Sequence, residues 1–486
     1  MSLDLAETLS IIVPLAFAFA FGACVGSLIN VLVYRLPLGL SVITPPSRCP
    51  SCETRLTWRE NIPVLGWLLL RGRCRFCRSK ISPEYPLVEA FVGLLFVGLY
   101  AMCFLISPNA NLAGVPIGMI RPEWGLNGFV GVWPVFIVVA VLFASLTAMT
   151  IVDARTFTIP LELAWFASAV ALLLHTAWAV VVEFSPGGGL AFVARDWDWA
   201  IATPWGWGIG QAWGGWQWVG ASLGGTIGLG LSLLLLRVGL LRRSFEDYAE
   251  WEAQHASTLH GAAPTAAGPA ASAASGSDRA AETGPLTNLD APPTASTALT
   301  PPATPTGTDA HAAFANPTDL WVAYPHARRE MLRELAFLGP PVGLAYLGAI
   351  LMLHLAGQGG WIAPLWLKVL AGVLLGFLVG GGVVWFVRIL GSLAFGKEAM
   401  GLGDVHLMAA VGAALGWVDA VLAFFLAAFV GVAWAILARV AIGSNARAMP
   451  YGPFLAIATA LVFVGKPLIE RGLSHLFVTP VPINLP

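Results

Sequence analysis

Apolar runs long enough to cross a bilayer recur along the whole chain, and they constrain its fold more than any motif does. A spanning helix needs about 20 apolar residues, a length met at residues 11–33, 87–106, 129–151, 160–182, 218–240, 336–356, 364–391 and 452–471. The run 405–440 is too long for one span, and the stretch from Gly416 to Asp419 offers a break between a short helix and a following one. The expected architecture is an all-α polytopic membrane protein with ten transmembrane helices, or nine as the lower count. Composition agrees, since 57% of residues are hydrophobic and 11% are charged, against roughly 25% charged in soluble domains.

The formal net charge is −1, so no global field draws in nucleic acid, and the expected partner surface is the lipid bilayer. Lys and Arg collect in cytoplasmic loops, so their positions set the orientation. Residues 34–86 hold Arg35, Arg48, Arg55, Arg59, Arg71, Arg73, Arg75, Arg78 and Lys80, which puts this segment inside and the N-terminus outside. Counting forward, the loops 152–159, 241–335, 392–404 and 441–451 also fall inside, and they carry Arg155, Arg242, Arg243, Arg328, Arg329, Lys397 and Arg447. The outer loops are nearly free of basic residues, with Arg121 and Arg195 the exceptions. The first apolar run is too long for a signal-peptide core and follows Asp4 and Glu7, so it reads as a retained anchor.

Between the spans, composition marks segments that build no core. Residues 195–218 are packed with tryptophan, namely Trp197, Trp199, Trp205, Trp207, Trp213, Trp216 and Trp218, the pattern of an aromatic belt at headgroup level. Residues 256–318 are Ala, Pro, Thr, Ser and Gly with almost no large apolar side chains. Such a stretch cannot offset its chain entropy by burial and is expected to be a disordered cytoplasmic linker. The spacings Gly220/Gly224/Gly228 and Gly372/Gly376/Gly380 allow close approach of helix backbones in lipid.

Four of the six cysteines form two Cys-x-x-Cys pairs, Cys49/Cys52 in "CPSC" and Cys74/Cys77 in "CRFC", within the basic loop. Four sulfurs so spaced can close a tetrahedron around Zn²⁺ with no open position, which makes a structural site. Two disulfides are the competing reading, and the reducing cytoplasm favours zinc. Cys24 and Cys103 lie in apolar runs, where thiols serve as small packing residues.

Carboxylates at membrane depth are few, and each is a candidate for function. Asp153 in "IVDARTFTIP" and Asp404 in "GLGD" fall at the cytoplasmic ends of different helices. Alone, Asp404 could be the N-cap of the helix it precedes, and Asp153 a solvated charge near Arg155. Together they suit acid–base work: two carboxylates held close share a proton, and one activates a water while the other stays protonated. Gly401 and Gly403 would let backbone and substrate approach, and Pro160 can start the next helix at its first turn.

In order the chain reads "GSLINVLVYRLP", "CPSC", "WRENIPVLGW", "GRCRFC", "YPLVEA", Asp153 with Pro160, "GLGD" and "MPYGPFLA". This collinear set resembles the type IV prepilin leader peptidase / N-methyltransferase family, membrane aspartic peptidases of the G-x-G-D class. The resemblance covers nearly the whole chain outside 183–335. It implies that Asp153 and Asp404 are the catalytic pair and that the substrates are prepilins or pseudopilins, cut at the cytoplasmic face of the inner membrane. It also implies that the cysteine loop binds zinc and is tied to methylation of the new N-terminus, with S-adenosylmethionine as donor. No glycine-rich nucleotide loop accompanies it.

Three departures from the family stand out. His406 occupies a position where the family has lysine, and imidazole titrates near ~6.5. Leu161, followed by Glu162, stands where Asp or Asn is common, and 183–335 looks like an insertion.

The implied layout is a first transmembrane helix at 1–33, the four-cysteine loop at 34–86, helices at 87–182 with the first aspartate, the insertion at 183–335 with the tryptophan-rich loop, one helix and the linker, and helices at 336–486 with G-x-G-D. Gly401, Gly403, His406 and Pro160 would shape the active site. An intramembrane aspartic protease of other membrane segments would have no use for the cysteine loop. A cation transporter would tend to show internal repeats, and a scaffold would need neither aspartate.

Overall fold

The computed structural model describes residues 3–111, 114, 116–185, 215–245, 327–357, 363–395, 399–442 and 450–476. The linker 256–318, Trp197, Trp199, Trp205, Trp207, Trp213, Arg195, Lys397 and Arg447 lie outside the described residues. Among those described, the only β pairing is two isolated bridges.

The helices are α1 (Leu3–Arg35), a short α2 (Leu65–Leu69), α3 (Glu84–Tyr100), α4 (Gly128–Thr156), α5 (Leu161–Phe184), α6 (Trp216–Arg237), α7 (Ala327–Gly357), α8 (Leu365–Phe395), α9 (Leu402–Leu415), α10 (Trp417–Ile442) and α11 (Gly452–Leu476). Among the described residues nine helices are long and apolar enough to cross a membrane, all of these except α2 and α9. The protein is a multi-pass membrane protein. Large apolar side chains such as Phe17, Leu173, Tyr346 and Phe429 point outward, where lipid covers them without competing with the helix contacts. Cys103 is buried as expected, whereas Cys24 sits exposed on α1.

The tenth expected helix is α9, and it differs from a lipid-facing span. Its 14 residues reach only ~21 Å at ~1.5 Å per residue, short of a hydrocarbon core of about 30 Å. Val405 and Leu407 to Leu415 are all buried, so α9 is enclosed by α4, α5, α8, α10 and α11. The expected break falls at Gly416, whose φ of +98° a side chain would strain.

Small residues set the closest approaches. On α6, Gly220, Gly224 and Gly228 lie against the carbonyls of Gly348, Leu344 and Pro340 of α7, while Gly376 and Gly380 of α8 lie against Gly412 and Met408 of α9. A Cβ at any of these would strike backbone, which cannot turn aside. The α8–α9 crossing therefore fixes the helix that carries Asp404.

Candidate active site

Asp153 is in the last turn of α4 and Asp404 in the first turn of α9. Both are more than nine-tenths buried, and both line one cavity of about 950 Å³. They lie close enough for Asp153 to act electrostatically on Asp404. The structure thus unites two acids that the sequence separates by most of the chain.

Each carboxylate meets a helix N-terminus. Asp404 is not the cap that a helix starting after it would require: α9 begins two residues earlier, with Gly401 in extended backbone as N-cap. From the third helical position its side chain reaches back to accept the Gly401 N–H, the reciprocal half of a capping box. Asp153 accepts the N–H of Gly452, the first residue of α11, at 3.0 Å. Unpaired N–H groups and the helix dipole both favour negative charge at such a point, and the dipole of α4 alone would oppose it at Asp153.

Two glycines hold these parts together. A Cβ on Gly452 would lie 2.5 Å from Asp153 Oδ2, and one on Gly403 would lie 2.8 Å from Ile159 Cβ. The Gly403 contact joins the loop after Asp153 directly to the turn before Asp404. Gly401 lines the cavity with room to spare, since its nearest neighbour would be Asp404 Oδ2 at 3.8 Å. Apart from Thr158 and Tyr451, the rest of the cavity wall is apolar, with Phe157, Phe424, Phe425 and Ala428 on it.

Tyr451 also lines the cavity; burial, with Asp404 beside it, pushes its phenol up to about 12, so it remains a hydrogen donor. Tyr451 and Gly452 stand in "MPYGPFLA", where Gly-Pro ahead of an apolar run signals a helix start but not its contact with Asp153.

Two expected site residues are elsewhere. Pro160 is the N-cap of α5, one residue outside the helix and off the cavity wall. His406 faces away from the two acids: its Nδ1 is 2.8 Å from the Leu402 carbonyl, and its ring packs on Trp165 at 5.9 Å.

The four loop cysteines converge separately. Cys49 Sγ lies 3.8 Å from Cys77 Sγ, Cys52 Sγ 4.0 Å from Cys74 Sγ, and all four sulfurs fall within 4.8 Å of one another. A tetrahedron with metal–thiolate bonds of ~2.3 Å has edges of ~3.8 Å, so the set fits one ion, and no disulfide links them.

The loop is built from two like turns. In each, the residue after the second cysteine takes positive φ (Glu53, +53°; Arg78, +61°), and a short antiparallel bridge closes the turn, Arg48 with Arg55 and Arg73 with Lys80. Ser79 lies 3.1 Å from Cys77 Sγ and Thr54 lies 3.3 Å from Cys52 Sγ. Burial alone would raise the Cys49 thiol, but hydrogen bonds from Cys52, Ser51 and Ser79 outweigh it and bring it down to about 6, ready to ligate as thiolate.

A hydrogen bond ties the loop to α3, and a second joins two parts of the loop itself. Glu89 of α3 accepts the Val64 N–H at 2.7 Å, and Trp67 donates to the Ile81 carbonyl at 3.1 Å. Arg155, two residues after Asp153, pairs with Glu84 at 3.2 Å, an exposed contact of small energetic weight.

Comparison with known proteins gives two family matches. Residues 20–103 match the Bacterial Peptidase A24 N-terminal domain, and residues 341–436 match the Type IV leader peptidase family. The first holds the four cysteines and the second holds Asp404, while Asp153 lies between them. A prepilin leader peptidase/N-methyltransferase of Myxococcus xanthus (strain DK1622) is 56% identical over 80 residues, covering 16% of this chain and 24% of that protein. One from Klebsiella pneumoniae is 43% identical over 105 residues (20% and 45%), and one from Aeromonas hydrophila is 32% identical over 166 residues (29% and 50%). The matches thus span half or less of these relatives' length. No solved structure matches the chain.

Proposed function

We propose that the chain, which matches the type IV leader peptidase family over residues 341–436 and the Peptidase A24 N-terminal domain over residues 20–103, is a membrane aspartic endopeptidase. It removes the leader of prepilins or pseudopilins at the cytoplasmic face of the inner membrane. The observation that carries this reading is that Asp153 and Asp404, both buried, line the same cavity.

The two carboxyl groups hold one proton between them, because like charges at close range do not both persist in a low dielectric. The ionised member takes a proton from a water, whose oxygen attacks the scissile carbonyl carbon. The protonated member gives its proton to the carbonyl oxygen. Collapse of the tetrahedral intermediate breaks the C–N bond: the carboxyl that took the water's proton passes it to the leaving amine, and the other carboxylate takes back a hydroxyl proton as the new carboxyl group forms. The N–H of Gly452 and of Gly401 steady whichever acid is charged. Phe157, Phe424 and Phe425 give the cavity an apolar wall suited to the membrane helix of a prepilin.

Cys49, Cys52, Cys74 and Cys77 would hold a structural zinc in the cysteine loop. When bound, the ion crosslinks the two turns; four thiolates leave no position to activate water. Methylation of the new N-terminus from S-adenosylmethionine is assigned to this region by resemblance to the named relatives alone.

The test is co-expression with a prepilin from the same genome and intact-mass measurement of the pilin. Loss of the leader with wild type, but with neither Asp153→Asn nor Asp404→Asn, supports the peptidase. A further ~14 Da, one methyl in place of hydrogen, supports the transferase. Cleavage by both variants would remove the aspartates from the mechanism.

A further inference from the structure

The turn that delivers Asp404 is held from outside the cavity by a buried ionic group. Arg388 of α8 donates from Nε to the carbonyl of Met400 at 2.8 Å, and Ser392, one turn further along the same face, accepts the Ala399 N–H at 3.0 Å. Ala399 and Met400 themselves line the aspartate cavity. Two hydrogen bonds from one helix thus fix the backbone immediately ahead of Gly401 and Asp404.

Arg388 is in turn fixed by Glu334 of α7. The pair is almost fully enclosed, with side chains 1% and 3% exposed. Burying both charges is costly unless each is paired and hydrogen-bonded, and here the carboxylate is supplied with partners. Glu334 Oε1 receives Arg388 Nη1 and the Ser244 hydroxyl, and Oε2 receives Trp385 Nε1 at 2.8 Å. The planar guanidinium suits this task, since its donors point in fixed directions towards a carboxylate and a carbonyl at once, which an ammonium would not do.

We propose that Glu334 and Arg388 are positioning residues for the peptidase, forming a clamp through which α7 sets the backbone that presents Asp404. Glu334 lies in "HARREMLREL", at the end of the 183–335 segment and outside the residues that match the family. The clamp therefore gives that segment a part in the active site: it supplies the counter-charge for the arginine that holds the catalytic turn. This inference rests on the peptidase reading for its kinetic consequence, but its geometric half stands apart from it.

The experiment uses the full-length protein in lipid nanodiscs, with amide exchange of residues 399–404 followed by mass spectrometry and leader cleavage followed on a purified prepilin. In Arg388→Lys the 399–404 amides should exchange at least about tenfold faster. Its kcat should fall on the order of 10- to 100-fold, with KM within about twofold, because a misplaced acid affects chemistry more than binding. Glu334→Gln should shift both readouts the same way and less. The double variant should be no worse than Arg388→Lys alone, as expected when one residue acts through the other.

Arg333→Gln, which breaks a separate ion pair with Glu330 on the same helix, should leave both readouts near wild type. If Arg388→Lys does not fold, Trp385→Phe removes one donor to Glu334 at nearly constant volume and is read in the same way. Wild-type exchange and kcat in the folded variants, or additive losses in the double variant, would overturn the clamp. Faster exchange in the variants of a protein whose wild type cuts no prepilin would uphold the clamp and reject the peptidase reading.

Discussion

The cysteine loop and the aspartate pair both gather reactive side chains into one small volume, and they do so by opposite means. The loop works locally: two turns of the same pattern, each closed by its own bridge and left-handed residue, bring four sulfurs together within residues 49 to 77. The aspartates work at long range. Asp153 and Asp404 face one cavity because α8 packs on α9 through glycine contacts, α11 begins beside Asp153, and Ile159 fills the space that Gly403 leaves. A local site is robust to changes elsewhere in the fold, whereas a distributed one depends on every contact that aligns its helices.

The sharpest test of that contrast removes one member of each site. Asp153→Asn or Asp404→Asn should lower leader cleavage on the order of 10⁴-fold or more, with zinc content by elemental analysis unchanged. Cys74→Ser should take zinc from about one per chain to a small fraction, and residues 47–81 should become sensitive to protease. Leader cleavage should then fall by less than about tenfold, since α8, α9 and α11 hold the acids. Equal loss of cleavage in both kinds of variant would break the distinction.

Gly403→Ala sharpens it within the distributed site. The added methyl meets Ile159 Cβ at 2.8 Å, an overpacking worth about 1–3 kcal/mol, and cleavage should drop on the order of tenfold. Gly401→Ala, whose methyl would meet nothing nearer than Asp404 Oδ2 at 3.8 Å, should change the rate by less than about threefold.

Within the loop, hydrogen bonds from Thr57 and Arg75 hold the Glu60 carboxyl down at about 2, below its ordinary 4.5. A depressed folded value means that its contribution is complete above pH 4.5 and is lost as pH falls towards 2. Glu60→Gln should speed amide exchange near Arg75 by no more than about fivefold at neutral pH, and the two proteins should converge across that acid window. The smallest effect is expected from His406→Lys, which should alter cleavage by less than about twofold, because the ring packs on Trp165 outside the cavity.

The order of these effects follows from what a sequence can carry. Span length, the break at Gly416, the glycine stripes and the two Cys-x-x-Cys turns are all local patterns, set by helix rise, backbone freedom and the reach of one turn. Each could be read before any helix was placed. The two acids that line one cavity also stand out in the sequence, because charge is scarce among these apolar runs.

Their surroundings were not legible. "MPYGPFLA" announces a helix start, but only packing puts its Gly452 N–H on Asp153. "HARREMLREL" belongs to the 183–335 insertion, and only packing buries its Glu334 against Arg388. His406 sits two residues from Asp404, yet the turn of α9 sends it to Trp165. The chain by itself determined which groups exist and how short segments bend. Which groups meet was decided by helix crossings, and those depend on contacts summed over residues far apart in sequence, which no local pattern contains.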